Sequence, residues 1–510
     1  MSERTLYDWF TGSVAQHPDA CALEVADARL SYRELDLLVR HLAVDITRTL
    51  GAVPARVGVH ANRSLTAYVA YLAAQRLGAT AVPLNPSFPR SRRVRVATLA
   101  DVDLVVAQEK ATYPVPVLVA EDDALLERVG RPAPEAPVRA ARAADVAYTL
   151  FTSGSTGVPK GVPIRHSNVD AYLGHVIPRY GLGPGERVSQ TFDLTFDLSV
   201  FDLFATWGSG ATLVVPTRRE LLAPARFVAA RRITHWFSVP SVISMALRLG
   251  RLPEGGMPGL RWSLFCGERL TLEQARAWRA AAPGSVLENL YGPTELTLSC
   301  TQFRLPEAPG DWPRTANGTV PIGTPYPGLE HLVIDDRGAA ATRGELCVRG
   351  PQRFAGYLDP AHNRHRFLRF DGVRATPADA GPRPAAELWY RTGDLVAETD
   401  RVLVHLGRAD HQVKVQGYRV ELGEIEAELR RQDGVEDAIV VALTEPDSGP
   451  VTLHAVCTGA NSDTAGLLAA LRERLPAHML PRDVVHWARL PLSPNGKVDR
   501  AAIVTRLDPD

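Results

Sequence analysis

Apolar residues recur at helical spacing from Leu35 through Leu38 and Leu42 to Ile46, and Ser31 with Glu34 forms a capping box just ahead of them. Apolar, β-rich runs follow, among them Val146 to Phe151 and Ala211 to Val215. Strands alternating with helical stretches predict layered α/β structure. Residues 366–388 are rich in Arg, Pro, Ala and Gly and read as a surface loop. Near Asp410 the texture changes. A strand over Gln412 to Val415 and a turn lead to a helix around Ile425 and Leu429 that Gly434 should stop. A further helix is expected over Thr464 to Leu475. The pattern predicts a large N-terminal domain, 1–409, of α/β layers and a small α+β domain over 410–510.

Composition narrows the class. At ~150 residues per domain, 510 residues suggest roughly three folding units. Apolar residues make up 45% and charged residues 22%, as in an ordinary globular protein. Lys plus Arg and Asp plus Glu balance at 57 each, so no global field favours nucleic acid or anionic lipid. No run of ~18 apolar residues and no signal-peptide pattern occurs, so no membrane partner is expected. The five cysteines, Cys21, Cys266, Cys300, Cys347 and Cys457, are scattered, which argues for a reducing, cytoplasmic setting.

The strongest chemical signal is the stretch Thr152-Ser153-Gly154-Ser155-Thr156-Gly157-Val158-Pro159-Lys160-Gly161, which follows an apolar strand. Its glycines let backbone N–H groups approach phosphate oxygens, its hydroxyls add donors, and Lys160 adds a cation. It is not a Walker A loop, because Lys160 is followed by glycine and not by Ser or Thr.

This loop resembles the signature of the adenylate-forming (ANL) superfamily, which includes acyl-CoA synthetases, luciferases and the adenylation domains of nonribosomal peptide synthetases. Further motifs stand in the family's order: Leu30 to Leu35, Gly78 to Pro83, Phe196-Asp197-Leu198-Ser199, Tyr291-Gly292-Pro293-Thr294-Glu295, Gly344-Glu345-Leu346 with Gly356-Tyr357, and Tyr390 to Leu395. Gly407 to Asp410, Val413 to Arg419, Leu422 to Glu426 and Pro494 to Arg500 complete the set. The resemblance implies the ANL fold with a mobile C-terminal lid, ATP and Mg²⁺ as reactants, and AMP-forming activation of a carboxylic acid. Two anions must be held in line while charge at the α-phosphate is neutralised. By the resemblance, Lys497 bridges the carboxylate and the α-phosphate and Glu295 holds Mg²⁺. Tyr291 stacks on adenine, Asp394 binds the ribose and Arg408 assists. Asn289, Gly292 and Thr294 join the phosphate loop in the ATP/AMP set. Asp410 is the hinge of a domain alternation, and Gly417 lines the tunnel for the acceptor arm.

Amino-acid-activating members carry an aspartate at Asp197 to pair with the substrate ammonium, and a buried carboxylate needs such a partner. The remaining pocket positions align with Leu198, Phe201, Ser238, Leu264, Cys266, Gly267, Leu290, Leu298 and Ser299. They carry no further charge and much bulk, so a small neutral amino acid is expected, alanine first. Ser238 and Ser299 could hydrogen-bond a polar group or satisfy local backbone. With no carrier or condensation motif in the chain, the resemblance is to a stand-alone nonribosomal peptide synthetase-type enzyme of antibiotic biosynthesis. It would load a separate carrier protein, either at a phosphopantetheine thiol or at the amine of a carrier-bound aminoacyl group. The alternative is an acyl-CoA ligase acting on a non-amino acid.

Overall fold

The computed structural model describes residues 3–508 except 134, 136, 155–157, 380, 411, 445–450 and 492–497. The chain divides into two compact units: Met1–Pro86, Ala97–Leu150 and Gly161–Ala409 form one, and Ser87–Val96, Phe151–Lys160 and Asp410–Asp510 the other.

The larger unit is mixed α/β, as the alternation of patterns predicts. Among the described residues its largest sheet has nine strands. Six run parallel in the order Val286–Tyr291, Trp262–Phe265, His235–Ser238, Arg187–Ser189, Thr212–Val214 and Cys21–Val25. Antiparallel strands cap both edges. All four residues of His235–Ser238 are buried, as expected of a parallel strand covered on both faces. A second, six-stranded sheet contains Arg56–His60, Thr80–Pro83 and Val146–Thr152. The helix Tyr32–Leu50 starts on the predicted capping box, ends on Gly51 at φ 75°, and buries Leu35, Leu38, Leu42 and Ile46.

A third sheet corrects one expectation. Within the stretch read as a loop, Phe367–Phe370 and Ala375–Pro377 pair antiparallel, and Phe367–Phe370 also pairs with Trp389–Thr399. Phe367 and Leu368 are buried, and Phe367 lies against Phe354 and Tyr390. Long-range aromatic packing overrides the local Arg, Pro and Gly content.

The second unit holds the two-stranded hairpin Gln412–Val415 and Tyr418–Glu421, with Gln416 and Gly417 both at positive φ, as a type I′ turn requires. The helix Leu422–Arg430 and the strands Val435–Thr444, Val451–Gly459 and Asp483–His486 follow. Ile425, Leu429, Val440, Ala455 and Leu471 share one core. Two helices are shorter than their patterns suggest. The first ends at Arg430, ahead of Gly434, and the second at Arg472, short of Leu475, where Pro476 would in any case bar helical backbone. Among the described residues no helix is long and apolar enough to cross a membrane. The five cysteines are unbridged.

Candidate active site

The predicted acid-binding residues gather at the carboxyl ends of adjacent parallel strands, where open α/β sheets hold their ligands. Ser238 ends one strand, Cys266 and Gly267 follow the next, and Leu290 and Tyr291 close the third. Asp197 and Leu198 lie beyond the strand Arg187–Ser189, and Phe201 opens the π-helical turn Phe201–Ala205. Leu198, Phe201, Leu264, Cys266, Leu290 and Leu298 are all buried and belong to one core cluster. Asp197 is only 8% exposed. Burial suppresses ionisation of Tyr148 and Tyr172, and the Asp197 charge adds to the effect at both.

The two serines resolve differently. Ser238 Oγ accepts from Trp236 Nε1 at 2.9 Å and donates to the Val239 carbonyl at 3.1 Å, so it serves its own surroundings. Ser299 Oγ meets the Tyr326 hydroxyl at 2.7 Å and the Tyr172 hydroxyl at 3.5 Å. The turn before Ser299 is strained: Thr297 and Leu298 sit at φ 58° and 69°, a region that costs a non-glycine residue on the order of 1–3 kcal/mol. Gln352 pins it. Its Nε2 donates to the carbonyls of Leu296, Thr297 and Ser299 at 3.2, 3.3 and 2.8 Å, and its own carbonyl accepts from Thr297 Oγ1 at 2.6 Å. Gly292 is needed here, because a Cβ would stand 2.6 Å from Ser299 Cα and 2.8 Å from the Leu298 carbonyl oxygen.

Several residues expected to bind the nucleotide form a second cluster in the same unit. Asp394 and Arg408 face each other across antiparallel strands, and Arg408 Nη1 donates to Asp394 Oδ1 at 2.8 Å. His405 Nε2 lies 3.1 Å from the same oxygen, and the Tyr291 hydroxyl donates to Oδ2 at 2.6 Å. Burial opposes ionisation of Asp394. The Arg408 charge and the bonds from His405 and Tyr291 outweigh it and hold the carboxyl well below the usual carboxylate range. Asp394 is thus a fixed anion with three donors already placed, and Tyr291 is tied to it through its hydroxyl. Asn289 donates to the carbonyls of Val320 and Pro321 at 3.3 and 2.9 Å.

Glu295 is buried in the short turn Thr294–Leu296, and Tyr357 donates its hydroxyl to Oε1 at 2.5 Å. Tyr390 lies 3.2 Å from Tyr357, hydroxyl to hydroxyl. Among the described residues no cluster of three metal-ligating side chains occurs. A single carboxylate fits magnesium, which is held by one or two carboxylates together with phosphates and water. Glu295 would hold it, and the ion would supply Lewis-acid charge at the phosphates.

In the second unit Ser153 Oγ donates to the Arg419 carbonyl at 2.7 Å and accepts from the Glu421 N–H at 2.9 Å. The Gly154 N–H donates to Glu424 Oε2 at 3.2 Å, and Lys160 Nζ lies 3.2 Å from Glu421 Oε1. Of the groups read as phosphate donors, the Gly154 N–H and Lys160 thus face carboxylates, which are themselves anionic oxygens, while Ser153 serves backbone. Asp410 Oδ1 accepts from the Gln412 N–H at 3.2 Å, and Gly417 sits at φ 84° in the hairpin turn. Ser155, Thr156, Gly157 and Lys497 lie outside the described residues. Sequence reasoning missed His405, which strand pairing brings to Asp394, and Gln352, which lies more than 50 residues along the chain from the turn it holds. It quoted Tyr357 within a motif without giving it a role.

The AMP-binding enzyme family model matches residues 10–358, and that of the AMP-binding enzyme C-terminal domain matches 424–497. Phosphinothricin tripeptide synthetase PhsC of Streptomyces viridochromogenes is 36% identical over 517 residues, covering 98% of this chain but 45% of that protein. The chain thus spans less than half the length of that relative. An L-proline--[L-prolyl-carrier protein] ligase of Pseudomonas fluorescens is 32% identical and is covered over its whole length, with 99% of this chain aligned. Among solved structures, the Vibrio cholerae adenylation domain AlmE in complex with glycyl-adenosine-5'-phosphate superposes with a TM-score of 0.81 at 27% identity, over 99% of this chain and 98% of that one.

Proposed function

We propose, from the premise that this chain belongs to the AMP-binding enzyme family, that it uses ATP to adenylate a small neutral amino acid, alanine above others, and passes the aminoacyl group to a separate carrier protein. It is an AMP-forming amino acid ligase of the nonribosomal peptide synthetase type. The observation that carries the reading is Asp197, a carboxylate 8% exposed beside walls of leucine and phenylalanine at the carboxyl edge of the sheet. An ammonium group is the natural partner of an anion so placed. The apolar walls contribute no second charge for a charged side chain to meet. Two relatives bear names that involve small neutral amino acids, proline and glycine.

In this reading Asp394 receives the ribose hydroxyls, and its network with Tyr291, His405 and Arg408 keeps it ionised for that role. Glu295, oriented by Tyr357, would hold magnesium, which would supply Lewis-acid charge. Lys497 neutralises charge between the substrate carboxylate and the α-phosphate as the new acyl–phosphate bond forms and pyrophosphate leaves. Asp410 is the hinge and Gly417 lines the acceptor path. The acceptor is a phosphopantetheine thiol or the amine of a carrier-bound aminoacyl group. The supporting experiment is amino-acid-dependent ATP–pyrophosphate exchange across the twenty amino acids and a set of fatty and aryl acids. Exchange with alanine and its small neighbours, lost in Asp197→Ala, is expected. Exchange with fatty or aryl acids alone would overturn the reading.

A further inference from the structure

The segment 191–197, which carries Asp197, is neither helix nor strand, yet one buried carboxyl group holds its start and another carboxyl group within it ties its middle to distant side chains. Asp202, in the turn Phe201–Ala205, is fully buried. Its Oδ2 accepts the backbone N–H groups of Thr191 at 3.0 Å and Phe192 at 3.4 Å. Its Oδ1 has no hydrogen-bond partner among the described residues. Asp193, inside the segment, accepts from the Thr195 N–H and hydroxyl at 2.8 and 2.5 Å through one oxygen. Through the other it accepts from the side-chain amides of Asn62, at 2.7 Å, and Asn85. The Phe196 N–H donates to the Asp193 carbonyl at 2.9 Å. The Phe192 and Phe196 rings stack 5.4 Å apart with 6° between their planes.

These contacts close a ring. The Asp202 side chain reaches back to the start of the segment, while the backbone from Asp197 to Asp202 is already wound by the Val200 N–H to Asp197 carbonyl bond of 2.9 Å. Asp197 sits inside the loop so closed. We propose that Asp202, seconded by Asp193, is a positioning residue for amino-group recognition: it clamps Thr191 and Phe192, the Phe192–Phe196 stack transmits that position, and Asp197 is thereby set opposite the substrate ammonium. The inference rests on the proposed reading of Asp197. A fully buried carboxyl that meets only two backbone donors is costly as an anion. Burial raises its proton affinity far above the carboxylate norm, against the opposing bonds of Phe192 and Thr191 and the charge of Arg63. The clamp therefore needs the shape and the acceptor oxygen of the side chain, not its charge.

The test is pyrophosphate exchange with Asp202→Asn, Asp202→Ala, Phe192→Leu and Asp197→Ala, measuring KM for the amino acid and for ATP separately. Small displacements of a recognition group cost one to two powers of ten, so Asp202→Ala is expected to raise the amino acid KM about tenfold with the ATP KM within about twofold. Asp202→Asn keeps an uncharged acceptor and is expected to restore the wild-type amino acid KM. Phe192→Leu removes the ring stack on Phe196 together with the edge contact to Phe237, 5.0 Å away, and should raise the same KM by about threefold with the ATP KM within about twofold. If Asp202→Ala does not fold, the Asn and Leu variants decide. An unchanged amino acid KM in Phe192→Leu, or an Asp202→Asn variant as impaired as a loss of Asp197, overturns the clamp. An Asp197→Ala enzyme with unaltered amino acid KM would instead overturn the reading of Asp197 itself.

Discussion

Replacing Asp394 with Asn tests whether this anion is held chiefly by Arg408. The two side chains are 7% and 12% exposed and their nearest atoms lie 2.8 Å apart. Two unit charges about 4 Å apart attract by about 4 kcal/mol at an effective dielectric of 20, and desolvation returns part of that. A net coupling of about 2–3 kcal/mol remains, with the bonds from Tyr291 and His405 adding to the loss when the charge goes. A double-mutant cycle of Asp394→Asn and Arg408→Gln, followed by urea unfolding, should therefore show each single variant losing about 3 kcal/mol and the double variant losing far less than the sum. Because folding depresses the Asp394 pKa, its contribution is complete above the ordinary carboxylate range and disappears as pH falls below it. Asp394→Asn should also raise the ATP KM about tenfold, or about 1.4 kcal/mol, while leaving the amino acid KM nearly unchanged. A coupling below about 0.5 kcal/mol would refute the argument, since independent sites add to within that margin.

Lys497→Ala should abolish pyrophosphate exchange yet spare transfer from a chemically prepared aminoacyl adenylate, and equal loss of both steps would contradict its assigned role. Gln352→Ala leaves the carbonyls of Leu296, Thr297 and Ser299 without their amide donor, so about 2–3 kcal/mol of stability should go. The amino acid KM should rise with it, both read against thermal unfolding and exchange kinetics. His166 is buried, its Nδ1 accepts from the Leu6 N–H at 3.1 Å, and burial lowers its pKa from 6.5 to about 4. Stability should therefore be full above pH 6.5 and fall by about 3 kcal/mol toward pH 4, a slope that His166→Gln flattens in urea titrations at several pH values.

Much of the architecture could be read along the chain because it depends on local patterns. The capping box at Ser31 and the turn after Val415 each follow from a few neighbouring residues. The motifs likewise named the residues at the carboxyl edge, since each lies within a short stretch next to its own strand. The strand Phe367–Phe370 escaped this reading because it is stabilised by aromatic rings distant in sequence. The same holds for the two serines, which are alike in composition. Only the neighbours brought by the fold commit Ser238 to Trp236 and Ser299 to Tyr326.

The order and chemistry of the motifs are a property of the chain alone: a glycine and hydroxyl loop with its lysine, an aspartate at 197, a glutamate at 295. What the tertiary structure decided is which groups are already satisfied. Asp394 acquires His405 through strand pairing, Glu295 acquires Tyr357, and the strained turn at Leu298 acquires Gln352. Hydrogen bonds between residues on different strands or loops, eleven to some sixty positions apart here, leave no periodic trace in a sequence. They form only where packing removes water, and there an unmet polar group costs enough to select its partner.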